Sequence, residues 1–71
     1  MMQIGDYVRF GEEPYNVFVV TDIWDGGRTL GVATIHGIYT ELPADDCKLL
    51  DRDYGFAERR RQSAIWNKQC R

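Results

Sequence analysis

The chain has one histidine, His36, and two cysteines, Cys47 and Cys70, among its 71 residues. A structural zinc site needs four Cys or His ligands. Three candidates cannot close one, so no metal is expected within a subunit. The cysteines form no C-x-x-C pair, and nothing in Met1 to Phe10 combines a basic segment with an apolar run. The chain is therefore read as cytoplasmic, with both thiols reduced. No stretch approaches membrane-spanning length, so no membrane partner is expected. Internal repeats and low-complexity segments are absent as well. The acidic pairs Glu12–Glu13 and Asp45–Asp46 are adjacent residues whose carboxylates need not converge, and Asp22, Asp25 and Asp51 lack calcium-loop spacing. His36 has no nucleophile beside it in sequence, and Cys47 lies in an apolar strand. No catalytic residues are assigned, no cofactor is assigned, and the chain is expected not to be an enzyme.

What is present is a β-rich body followed by a basic tail. At 71 residues there is room for a single domain, and 44% hydrophobic residues suffice for a small core. Short apolar-alternating segments are separated by turn residues: Asp6 to Phe10, Tyr15 to Trp24, Thr29 to Ile35, Ile38 to Leu42 and Cys47 to Leu50. Between the second and third, Asp25, Gly26 and Gly27 supply the positive φ angles of a tight hairpin. Gly31 and Ala33 suggest a bulge or a crowded bend in the third segment. Pro43 opens one tight helical turn through Asp46. Strict alternation places Tyr15, Val17, Val19 and Ile23 on one face of the long strand, and Phe18, Val20 and Trp24 on the other. The expected core comprises Val8, Val17, Val19, Ile23, Val32 and Leu49. Five short strands joined by turns predict a mainly β fold, a small five-stranded antiparallel barrel.

Charge divides at residue 51. Residues 1–51 hold three basic against nine acidic residues, net −6, and residues 52–71 hold six against two, net +4. The chain thus splits into a barrel over 1–51 and a basic C-terminal helix or tail over 52–71, one domain with an appendage. A helix is predicted from Phe56 to about Gln69, capped by Asp53 or Gly55, with Phe56, Ser63, Trp66 and Cys70 on its docking side. Arg59, Arg60 and Arg61 fan around that helix, and together with Trp66 and Lys68 they are the candidate binding residues. Two readings follow. The basic residues either rest against the acidic body of the same or a neighbouring subunit, or grip phosphates of a nucleic acid through residues 56–71.

Gly5, Asp6, Tyr7, Val8 and Arg9, the β-rich run with Tyr15 and Val17, and the segment Leu42 to Leu50 carry a resemblance. Over residues 5–50 the chain resembles small bacterial SH3-like barrel proteins, with a Gly-Asp-x-Val-Arg first strand and a proline-led turn before the last one. Within that group it is similar to the plasmid-borne trimethoprim-resistant dihydrofolate reductases. That resemblance implies an oligomer binding folate and NADPH in a central pore lined by a Val-Gln-Ile-Tyr segment. The corresponding stretch, His36 to Thr40, keeps Ile38 and Tyr39 and lacks the Val-Gln pair. The leading expectation is a non-catalytic binding module contacting a protein partner, with a homo-oligomer in keeping with that use. Nucleic-acid binding and a cofactor-binding oligomer are the alternatives.

Overall fold

A computed structural model describes residues 2–12 and 14–69. The strands are β1 (Tyr7–Arg9), β2 (Val17–Trp24), β3 (Thr29–Ala33), β4 (Tyr39–Pro43) and β5 (Lys48–Leu49), and one helix, α1 (Arg52–Gln69), follows them. Single 3-10 turns occupy Asp25–Gly27 and Ala44–Asp46. All pairings are antiparallel, in the order β4-β3-β2-β1-β5, an open sheet with β4 and β5 at its edges. The fold is therefore mainly β with a C-terminal helix. Strands β1, β2, β3 and β5 each lie within an expected β segment, whereas β4 is displaced by one residue from the expected Ile38 to Leu42 and takes in Pro43. At the β2–β3 hairpin, Asp25, Gly26 and Gly27 all adopt positive φ (55°, 67° and 97°), as the turn sequence requires.

The long strand β2 does not keep strict alternation. Val20 pairs with Val32 but Asp22 pairs with Gly31, so Thr21 is an extra residue on β2. A bulge of one residue swaps the faces of everything beyond it. Ile23 therefore joins Phe18 and Val20, while Trp24 joins Val17 and Val19, the reverse of the expected assignment. The bulge sits in β2, opposite Gly31, and not in β3 itself.

The core lies on the first of these faces. Val8, Val20, Leu30, Val32, Leu42 and Cys47 form one buried cluster, with Met2, Phe10, Phe18, Ile23 and Ala44 packed against it. Each fully buried Val or Leu contributes about 1.5–3 kcal/mol of transfer free energy. Val17 is also fully buried, yet it belongs to the opposite face, which α1 covers. The expected core needs three corrections. Val19 and Ile23 are only half-buried, because the bulge and the helix divide β2 between two layers. Leu49 is 46% exposed, because β5 is a two-residue edge strand with nothing beyond it.

Helix α1 begins at Arg52, four residues earlier than its pattern suggests. Its cap is Asp51: the carboxylate accepts from the Tyr54 N–H (3.2 Å) and the backbone carbonyl from the Gly55 N–H (2.7 Å). Gly55 lies inside the helix. A Cβ there would collide with the Cβ and ring of Tyr7, so the glycine is what lets the helix approach β1 this closely.

Candidate functional site

The basic helix docks through polar chemistry. Residues 55, 59, 62, 66 and 69 follow i, i+4, i+3 spacing and share one face. Gln62, 2% exposed, is the centre of that face. Its carbonyl accepts from the Val17 N–H (3.2 Å), and its amide donates to Asn16 (3.1 Å) and to Glu58 (3.1 Å). Gln69 accepts from the Tyr15 hydroxyl at 2.6 Å. A face built from Gly, Arg, Gln, Trp and Gln has no apolar stripe for a sequence pattern to find.

The three arginines separate. Arg59 is half-buried and donates to the Thr34 carbonyl (2.8 Å), so it holds the helix to the end of β3. Arg61 forms a two-pronged ion pair with Glu58 on the helix itself, one turn back. Arg60 is exposed, with its guanidinium 5.8 Å from the centre of the Phe56 ring. Lys68 is exposed too. Trp66 lies in an aromatic cluster, 5.4 Å from Tyr15 and 4.2 Å from His36 between ring centres. Phe56, expected to dock, is 51% exposed. The candidate residues therefore do not converge on one surface: Arg59 and Trp66 fasten the helix, Arg61 is paired, and Arg60 and Lys68 face outward.

The Glu58 carboxyl is held down to about 2, first by the Arg61 hydrogen bond, with help from Gln62 and the Arg61 and Arg9 charges against an opposing burial cost. A depressed carboxylate stabilises the fold above its ordinary value near 4.3 and loses that contribution as pH falls towards 2. Melting temperature should therefore decline between about pH 4.5 and 2, and Glu58→Gln should flatten that decline. An unchanged acid profile in the variant would assign it to other carboxylates.

His36 and Cys47 are not brought together as a dyad. Cys47 is buried in the core cluster, and burial, then the neighbouring Asp46 charge, raises its thiol pKa. His36 packs its ring on Trp66. The turn at His36 and Gly37 is closed by Thr34, whose hydroxyl oxygen accepts from the His36 and Ile38 N–H groups (3.1 and 3.2 Å). Glu13, Cys70 and Arg71 lie outside the described residues, and with Cys70 the expectation that both thiols are reduced. No group of three His, Cys, Asp or Glu among the described residues could hold a metal ion. Nor does any described helix have the length and apolarity to cross a membrane.

A concave feature lies elsewhere, at the β2–β3 hairpin end of the sheet. A cleft of about 690 Å³ is lined by Met2, Ile23, Trp24, Leu30, Ala44 and Leu49. Asp25 and Asp45 stand in the same lining and give the apolar floor an acidic edge. Trp24 and Leu49 are 43% and 46% exposed. Sequence reasoning missed this cleft, because Leu49 reads as a core residue and strict alternation sets Trp24 on the face opposite Ile23. The only signal was a tryptophan immediately before an Asp-Gly-Gly turn.

No family model matches the chain, and neither a curated protein nor a solved structure matches it.

Proposed function

We propose that this chain is a non-catalytic protein-binding module whose contact site is the apolar cleft at the β2–β3 hairpin end of the sheet. The observation that carries this reading is a concave, largely apolar floor with half-exposed Trp24 and Leu49 beside acidic Asp25 and Asp45. Binding energy concentrates where a large aromatic and an aliphatic side chain can be desolvated together, and an acidic edge selects partners with basic flanks. The strand order β4-β3-β2-β1-β5 supports an SH3-like barrel as the scaffold, with β5 returning beside β1. Charge placement points the same way. The only ion pair among the described residues is internal to α1, so no contact salt bridge joins the acidic sheet half to its own basic helix.

Selection from a random peptide display library tests the reading directly. Binders should combine an apolar anchor with Arg or Lys beside it. Leu49→Asp places a charge in the cleft wall at an exposed position, and should weaken them at least about tenfold without unfolding the protein. Peptides bound equally by the variant would remove the cleft from consideration. A nucleic-acid grip would instead appear as binding that falls steeply with salt. Arg60→Ala with Lys68→Ala would then lower the slope by about 2 units of log K per log salt. These two residues are the informative pair, because removing Arg59 would also loosen the helix.

A further inference from the structure

The helix covers only part of the second sheet face. Beyond the Thr21 bulge, Asp22 pairs with Gly31 and Gly31 pairs with Glu41, which sets two carboxylates on either side of a glycine in one row across β2, β3 and β4. Neighbouring strands lie about 4.8 Å apart, so the outer residues of the row are separated by roughly 10 Å at the backbone. The Trp24 ring lies over the glycine. A Cβ at position 31 would come within 2.8 Å of its Cη2 and 3.0 Å of its Cζ3, so only glycine leaves room for the ring there. Tyr39, 74% exposed, stands on the same face one register step from Glu41. Together Asp22, Trp24, Gly31, Tyr39 and Glu41 line a groove of about 180 Å³.

We propose that this groove receives an arginine side chain of the protein partner. Two aromatic rings offer electron-rich faces, and two carboxylates add negative charge at the same place. An anion is repelled there, and a neutral donor gains a hydrogen bond from the carboxylates but no attraction between opposite charges. Among the described residues neither Asp22 nor Glu41 has a salt bridge, and the Asp22 carboxylate accepts from the adjacent Thr21 hydroxyl at 3.3 Å. A guanidinium is favoured over an ammonium because it is planar, stacks on an indole and directs a rigid fork of donors at a carboxylate. The source of the arginine rests on the protein-binding reading above; the recognition chemistry does not. Trp24 lines both the groove and the cleft, so one peptide could place an apolar residue in the cleft and an arginine in the groove.

The test uses N-acetyl-arginine amide as the probe, with the lysine and glutamine analogues alongside, read on the Trp24 indole N–H resonance in a nitrogen-15 correlation spectrum at physiological salt. The arginine probe should give a saturable shift with a dissociation constant in the millimolar range, on the order of that expected for a single side chain. The lysine probe should bind more weakly and the glutamine probe should leave the resonance in place. Asp22→Asn with Glu41→Gln should weaken the arginine probe about tenfold while the melting temperature stays the same. An absent or non-saturable shift, an equal shift with glutamine, or full affinity in the double variant would each overturn the proposal. Leu49→Asp separates the two sites. Lost peptide binding with an intact arginine shift leaves both assignments standing. Intact peptide binding with an intact arginine shift refutes the cleft alone.

Discussion

Gln62→Leu should lower the melting temperature by about 10–20 °C, although leucine is the more apolar residue at a position only 2% exposed. The glutamine satisfies three partners at once: the Val17 N–H, the Asn16 carbonyl oxygen and the Glu58 carboxylate. Leucine fills similar space and satisfies none of them. A buried group left without its partner costs about 1–3 kcal/mol. In a domain of this size each kcal/mol moves the midpoint by about 4–8 °C. The Val17 N–H is the decisive group, because Val17 is fully buried and the start of β2 offers it no alternative. Calorimetry on the two proteins decides the matter. If leucine matches or exceeds glutamine, the helix is held by area and shape, and the polar network is incidental. A loss would show that the basic helix is fastened to the sheet by hydrogen bonds directed at the backbone.

Gly55→Ala should destabilise the protein by about 1–3 kcal/mol, opposite in sign to the usual effect of that change in a helix. Alanine is normally favoured over glycine by about 1 kcal/mol at an interior helical position. Here the added methyl would meet the Cβ of Tyr7 and approach its ring carbon Cγ to 2.8 Å. The Cβ of Tyr7 is fixed to the β1 backbone, so no rotamer change can relieve the contact and the start of α1 must move. Ala57→Gly, at an exposed position of the same helix, gives the reference for intrinsic propensity and should cost about 1 kcal/mol. A stabilised Gly55→Ala protein would mean that α1 does not rest against β1 in solution. Together the two helix variants test the seating of the appendage at its first turn and at its middle.

The strands and the hairpin turn were legible because their signals are local. Period-two apolar residues, punctuated by Asp25, Gly26 and Gly27 or by Pro43, specify strands and turns without reference to distant residues. The break in charge at residue 51 was local too, and it coincides with the Asp51 cap of α1. The candidate site was less legible. Arg59, Arg60 and Arg61 look equivalent in a row, yet one holds a sheet carbonyl, one points outward and one pairs with Glu58. Their roles depend on which side of the helix meets the sheet, and a polar docking face leaves no hydrophobic periodicity to reveal it.

The sequence by itself therefore determined a small β-rich chain with five short strands, a left-handed hairpin turn and a basic helical end, each written in neighbouring residues. Only the tertiary structure decided which face of each element is inside. One extra residue at Thr21 exchanges Ile23 and Trp24 between layers, because side chains in a strand alternate and a bulge shifts that alternation by one. The same shift puts Trp24 above Gly31, between Asp22 and Glu41, at a place that no run of adjacent residues encodes. Burial of Gln62 and exposure of Leu49 were decided in the same way. Each depends on whether a distant segment supplies hydrogen-bond partners or a covering surface, and strict sequence patterns carry no record of that.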